Sequence, residues 1–178
     1  MGKQVLVLSS SPRKNGNSNA LCDQFVKGAT DARNEVKKVR IAEKKINYCT
    51  GCYHCAKTGK CSQKDDMPEI LDAMQAADVI VLATPVYFYT MCAQMKTVID
   101  RTVARYTALK DKELYFIVTA EERGPAALER TIEGLRGFTS CLPGAREMGI
   151  VDGSGAWEAG AIRTSPAMAQ AYEMGKAV

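Results

Sequence analysis

Ser9-Ser10-Ser11-Pro12-Arg13-Lys14-Asn15-Gly16-Asn17-Ser18-Asn19 is the stretch from which the fold of this chain is read. The apolar run Val5-Leu6-Val7-Leu8 precedes it and has the length and composition of a buried strand. Leu21, Cys22, Phe25, Val26 and Ala29 follow at helical spacing. A strand that breaks into a hydroxyl- and amide-rich loop and then opens a helix is suited to an anion. The first N–H groups of the helix lack intrahelical partners and carry the positive end of its dipole. Serine and asparagine side chains add donors, and Arg13 can add charge-assisted ones. No Gly-Lys-Ser/Thr closes the loop and no Gly-x-Gly-x-x-Gly runs through it, so two common nucleotide motifs are excluded. The plainer alternative is an ordinary strand–helix loop capped by Ser18.

Working outward, the chain alternates strands with helices. Strands are expected at Gln4 to Ser9, Glu35 to Ile41, Asp78 to Thr84, Glu113 to Ala120 and Ala145 to Val151. The run Asp78-Val79-Ile80-Val81-Leu82-Ala83-Thr84 reads as a central strand covered on both faces, whereas Glu35 to Ile41 alternates as an edge strand does. Helices are expected at Ser18 to Ala32, from Asp66 with Asp66 as N-cap and Glu69 as capping-box acid, at Ala93 to Thr107, at Ala126 to Phe138, and after Ser165-Pro166. Five strands alternating with five helices imply an α/β fold: a doubly wound parallel sheet with helices on both faces. The flavodoxin-like strand order 2-1-3-4-5 places ligands at the carboxyl ends of strands 1 and 3. Residues 1–178 read as one domain, interrupted by a Cys-rich insertion loop at 42–64.

The composition narrows the classes further. The net charge of +4 divides into +9 over residues 1–64 and −5 over residues 65–178, so the phosphate loop and the cysteine loop share a basic part that favours an anionic ligand. The lysines are scattered, with few aromatics between them, so nucleic acid is not the expected partner. No apolar run is long enough to span a bilayer and the N-terminus enters a strand at once, which leads to the expectation of a cytoplasmic protein. Seven cysteines in such a setting point to metal or redox work rather than disulfides. His54 is the only histidine, which excludes a multi-histidine metal site, and it lies in the Cys-rich loop far in sequence from any serine elbow, so no Ser/His/Asp set competes. No side chain is assigned a catalytic proton transfer.

Ser11-Pro12-Arg13, Gly16-Asn17-Ser18-Asn19 and Thr84-Pro85-Val86-Tyr87-Phe88 resemble the motifs of flavodoxin-like NAD(P)H-dependent FMN reductases. Cys49-x2-Cys52-x2-Cys55-x5-Cys61 followed by Asp65-Asp66-Met67 resembles a narrower branch, the iron–sulfur flavoproteins. The likeness is clear from Val5 to about Arg101 and looser beyond. It implies FMN held by Ser11, Arg13, Asn17, Ser18 and Asn19 at the phosphate and by Pro85, Val86, Tyr87 and Phe88 at the ring. NAD(P)H would be the hydride donor and a flavin, quinone or similar small molecule the acceptor. A homodimer or homotetramer is implied as well. Relatives often carry a Gly-rich turn after strand 4, where this chain has Thr119-Ala120-Glu121-Glu122-Arg123-Gly124.

Cys49, Cys52, Cys55 and Cys61 leave three readings: a [4Fe–4S] cluster, a zinc ion, or free thiols. The cluster reading brings an alternative function, an electron carrier between a ferredoxin-type donor and FMN. Cys22 and Cys92 read as small apolar packing residues. Trp157, alone in a Gly-rich stretch, is expected to cover the flavin crevice or a neighbouring subunit, with closure of the sheet's edge as the alternative.

Overall fold

Within the strands, odd and even positions face opposite sides of one sheet, and both sides are apolar. Val5, Val7, Val79, Val81, Ala83, Tyr115, Ile117 and Val151 share one face, where they meet Leu21, Phe25, Ala29, Ala167 and Ala171. Leu6, Leu8, Ile80, Leu82, Leu114, Phe116 and Val118 share the other, against Met67, Ile70, Met74, Met95, Val98, Leu135 and Phe138. Each such side chain contributes roughly 1.5–3 kcal/mol by leaving water. A strand apolar on both faces is stable only when helices cover both.

The computed structural model describes residues 2–178. Its strands are β1 (Gln4–Ser9), β2 (Glu35–Arg40), β3 (Val79–Tyr87), β4 (Thr90–Met91), β5 (Glu113–Thr119) and β6 (Arg146–Gly153). The helices are α1 (Asn17–Asp31), α2 (His54–Thr58), α3 (Met67–Ala76), α4 (Ala93–Arg101), α5 (Glu129–Ser140) and α6 (Ala167–Lys176). The five long strands are parallel neighbours in the order β2-β1-β3-β5-β6. That is the expected flavodoxin-like order, with one short strand, β4, added as an antiparallel partner of the end of β3. Helices α1 and α6 cover one face so closely that a Cβ on Gly28 would lie 2.0 Å from the Tyr172 carbonyl oxygen, and one on Gly175 2.2 Å from that of Phe25. Among the described residues no helix is long and apolar enough to cross a membrane.

Local chemistry accounts for the departures from the expected elements. β3 does not stop at Thr84 but runs through Pro85 to Tyr87. Its β1 neighbour ends opposite Ala83, so the missing N–H of Pro85 breaks no ladder on that side. α4 ends at Arg101 rather than Thr107, passing into 3₁₀ turns at Thr102–Ala104 and Tyr106–Ala108. There the Thr102 hydroxyl donates to the Ile99 carbonyl at 2.7 Å and competes with the helix ladder. Asp66 does occupy the N-cap position of α3, but its side chain makes no capping bond: the carboxylate accepts the Lys45 N–H at 2.7 Å, and the neighbouring Asp65 accepts the Met67 N–H at 3.1 Å. Glu69 does not close a capping box but pairs with Lys44 at 2.8 Å. α1 begins at Asn17 and has Gly16, not Ser18, at its cap position. Ser165 does behave as a cap, its Oγ accepting the Ala167 N–H at 3.2 Å with Pro166 already helical.

Lys112 is the polar residue on which the end of α3 rests. It is 9 % exposed, and its Nζ donates to the carbonyls of Gln75 at 2.9 Å and Ala77 at 2.6 Å. The ammonium therefore satisfies the last carbonyls of α3 and sits at the negative end of its dipole. Burial holds its pKa below the usual lysine value. Replacing it by methionine keeps the stem and removes both bonds. Lys112→Met is expected to lower unfolding free energy by about 1–3 kcal/mol, read from the urea midpoint at unchanged slope.

Candidate functional site

The first turn of α1 and the three loops leaving β1, β3 and β5 meet where the winding of the sheet reverses. Between them lies a cavity of about 440 Å³. Ser11, Arg13, Gly16, Asn17 and Ser18 line it from the first loop, Pro85 to Phe88 from the second, and Thr119 to Glu121 from the third. Ala156 and Trp157 close it from the segment after β6. Of the nine residues expected to hold FMN, eight line the cavity and Asn19 does not.

The side chains of the loop divide sharply in what they do. Asn17 Nδ2 donates to the carbonyls of Ala156 and Glu158, each at 3.0 Å, and its Oδ1 accepts the N–H groups of Gly160 at 3.0 Å and Ile162 at 3.3 Å. Its amide capacity is filled by the protein. Asn19 turns back to donate to the carbonyls of Arg13 at 2.8 Å and Lys14 at 3.2 Å, and it pairs with Ser9 Oγ. Ser18 Oγ and Thr119 Oγ1 share a hydrogen bond of 2.7 Å. What remains for a ligand is the backbone of the loop and the first turn of α1, the buried Ser11 hydroxyl, and Arg13. Arg13 stands at the rim, its Nη1 on the Trp157 carbonyl at 3.2 Å and its guanidinium 5.6 Å from the centre of the Trp157 ring. Beneath the loop the buried Cys92 thiol donates to Ser10 Oγ at 3.1 Å, and Ser10 Oγ donates to the Ala83 carbonyl at 2.8 Å. Cys92 is thus a hydrogen-bonding residue as well as a packing one. The Cys22 thiol, fully buried, is pushed up to about 12 by desolvation.

The apolar wall is a hairpin. Val86 pairs with Met91 and Tyr87 with Thr90, leaving Phe88 and Tyr89 as its two turn residues at φ 49° and 63°. Both are left-handed, the geometry of a type I′ turn that glycine and asparagine usually occupy. Bulky residues there cost on the order of 1–3 kcal/mol each unless their surroundings hold them. Tyr89 is held: its hydroxyl donates to Glu122 at 3.1 Å and Arg130 lies 5.5 Å over its ring. Phe88 is held by nothing and its side chain is fully exposed beside the cavity.

The cysteine loop builds a second, separate cavity of about 210 Å³ lined by Cys49, Cys52, Cys55, Cys61 and Arg101. α2 lies within this loop, between left-handed Tyr53 and Gly59. The N–H of His54 and the Ser62 hydroxyl hold the Cys52 thiol below its usual pKa. All four cysteines are free. Among the described residues no three His, Cys, Asp or Glu side chains converge on a single-ion site.

A family model described as NADPH-dependent FMN reductase matches residues 4–145. The chain belongs to the NADPH-dependent FMN reductase family. It is similar to an iron–sulfur flavoprotein of Archaeoglobus fulgidus, 48 % identical over 99 residues that make up 56 % of this chain and 44 % of that one. An iron–sulfur flavoprotein of Methanocaldococcus jannaschii is 38 % identical over 99 residues, 56 % and 51 % of the two chains. The chain spans about half the length of these curated relatives. Among solved structures, an FMN-dependent NADH-azoreductase from Bacillus anthracis in complex with FMN superposes at a TM-score of 0.76, covering 98 % of each chain at 15 % identity. That likeness is one of fold.

For a member of this reductase family, the cavity holds residues that sequence reasoning had not assigned to it. Thr119, Ala120 and Glu121 line it despite departing from the Gly-rich turn that the resemblance implies, and Ala156 is placed by the amide of Asn17. The only sequence signal for the last was the small-residue run Gly153-Ser154-Gly155-Ala156 beside a lone tryptophan. Asn17→Ala strands two N–H groups and two carbonyls of the 156–162 segment. It is expected to lower stability by about 2–3 kcal/mol, near the upper end for such groups, and to shift Trp157 emission toward the red. A variant with parental stability and emission would show that the amide is dispensable to the segment.

Proposed function

We propose that the chain is an FMN-dependent NAD(P)H oxidoreductase that reduces small flavin-, quinone- or azo-type acceptors, residues 1–178 acting as one FMN-binding unit. The observation that carries this reading is the joining of three strand-end loops in one cavity whose two ends differ in chemistry. At one end are the opening turn of α1, the Ser11 hydroxyl and the Arg13 guanidinium, which suit a phosphate. At the other are Pro85, Val86, Tyr87, Phe88 and Trp157, which suit a flat aromatic ring. The volume of about 440 Å³ lies within the usual range of a small-molecule site. Bound FMN would supply the redox chemistry, taking hydride from the nicotinamide and passing electrons on.

The chain's own contribution is binding and orientation. Ser11, Arg13 and the N–H groups of Asn17, Ser18 and Asn19 would fix the phosphate; the asparagine side chains are engaged elsewhere. The Pro85–Phe88 strand end would offer one ring wall, and exposed Phe88 leaves the opposite side open to a second planar molecule. The titratable groups that line this cavity are Arg13, Tyr87 and Glu121. None of them is needed to move a proton in a hydride transfer between two planar rings. Self-association is part of the reading, with Val103 and Tyr106 presenting apolar surface beside α4.

The common cavity of the four cysteines supports a second reading, in which the protein also carries electrons from a ferredoxin-type donor. A cuboidal cluster needs four thiolates around a volume, whereas zinc draws its ligands to within about 2.3 Å of one point. Four cysteines lining one cavity supply the donor set that the former requires.

Two outcomes are expected. Arg13→Ala weakens FMN by about 1.5–3 kcal/mol in titrations of apoprotein and leaves riboflavin affinity nearly unchanged; equal losses for both ligands would remove the phosphate from this loop. Steady-state oxidation of NADPH and NADH with a quinone acceptor tests the activity itself. Cys55→Ser is expected to lose reconstituted iron as a whole rather than in part, since a cluster short of one thiolate is destabilised throughout. Its FMN affinity should match the parent, because the two cavities share no lining residue.

A further inference from the structure

Arg101 is the largest fully buried side chain in the protein, 1 % exposed at the end of α4. Its Nη1 donates to the Asn47 carbonyl at 2.6 Å and to Asp65 Oδ2 at 2.7 Å, and its Nη2 to Asp65 Oδ1 at 3.0 Å. Asp65 is as deeply buried at its side chain, and it also accepts the Asn47 N–H at 3.0 Å. Asn47 precedes Cys49 by two residues and Asp65 follows Cys61 by four. Both stems of the cysteine loop are therefore tied to each other and to α4 through one guanidinium.

A structural clamp would account for those bonds but not for the rest of the side chain. Arg101 forms part of the wall of the four-cysteine cavity, whereas Asp65 does not. Its Nε is buried and has no partner. A buried N–H without an acceptor is unfavourable, and native proteins rarely retain one without a use. Burial opposes the charge on Arg101 and the Asp65 carboxylate restores it. The ion pair is neutral as a whole. Of its two members only the cation belongs to the cavity wall, and that cation keeps one donor unspent.

We propose that Arg101 is a positioning residue of the cysteine cavity: it closes the neck of the loop and compensates, by its inward charge and free Nε–H, the negative charge of a group held by Cys49, Cys52, Cys55 and Cys61. This rests on the cluster reading of those four thiols. Hydrogen bonds and net charge near the sulfurs are principal determinants of a cluster's reduction potential. Partners just outside the ligands change metal retention by about 10–100-fold when removed.

The test uses anaerobically purified protein, reconstituted with ferrous iron and sulfide, in four forms: parent, Arg101→Lys, Arg101→Gln and Asp65→Asn. Iron and sulfide content, rate of iron loss to a chelator, reduction potential by spectroscopic titration, and FMN affinity are measured on each. Arg101→Gln is expected to lose iron about tenfold faster or more and to move the potential to more negative values. Arg101→Lys keeps the charge but not the fork, so its iron loss rises while its potential stays near the parent's. Asp65→Asn removes the opposing carboxylate and moves the potential in the positive direction. Should Arg101→Gln fail to fold, seen as lost FMN binding, the Lys and Asn variants still read the two effects separately. Potentials unmoved in every folded variant overturn the proposal and leave a structural clamp. A parent that takes up no iron or sulfide overturns the cluster reading and the assignment with it.

Discussion

The amide of Asn17 is the constraint from which the shape of the flavin-sized cavity follows. A side-chain amide has two donors and one oxygen with two lone pairs. Here Ala156, Glu158, Gly160 and Ile162 use all four. None of these partners belongs to the sheet; they lie on the irregular stretch between β6 and α6. Without the amide that stretch would present unpaired backbone groups to a buried surface. With it, Ala156 and Trp157 are drawn to the mouth formed by the β1, β3 and β5 loops. A residue placed in the anion loop is thus an organiser of the far wall, and it leaves the ligand to the backbone of α1.

The same division of labour holds at the rim. Arg13 already stacks on Trp157 and donates to its carbonyl. An arriving phosphate would compete for that guanidinium, and a charge-assisted bond is roughly twice as strong as one to a neutral carbonyl. Binding at the anion end is in this way coupled to the position of the indole at the ring end. The hairpin opposite is less free. Of its two left-handed turn residues, Tyr89 is held from outside by Glu122 and Arg130, while the Phe88 ring stays in solvent.

How much of this could be read from the sequence follows from the range of the interactions concerned. The strands, their order and two of the loops that line the cavity were legible because apolar runs and turn residues act locally. β1 and β5 begin where the pattern put them, and the winding reversal falls at the expected loops. The engagement of Asn17 was not legible, because its partners lie about 140 residues away along the chain. At α3 the cap position was read correctly at Asp66, but not which carboxylate serves the first turn, because tertiary partners decide that. Asp66 is taken by the Lys45 N–H, and Asp65 serves Met67 and Arg101 together. Arg101 gave no sign of itself. It follows Val98 by three positions on a stripe that otherwise reads as apolar, and a cation there looks like a solvent-facing residue until Asp65 is placed beneath it.

The position of that pair shows how one fold keeps two cavities apart. Each cavity is closed by a long-range polar tie rather than by the core: Asn17 to the 156–162 segment in one case, Arg101 to the stems of the cysteine loop in the other. The sheet and its two apolar layers support both ties but take part in neither. Breaking the Arg101–Asp65 pair leaves an uncompensated charge in the interior, a change that typically costs about 3–5 kcal/mol. Replacing both partners by apolar residues is typically far milder, because the desolvation cost disappears with the charges. A pair kept solely to stabilise the loop would therefore have an apolar substitute of similar merit. A guanidinium with one donor left over in a cavity wall has none, and that difference separates a clamp from a site.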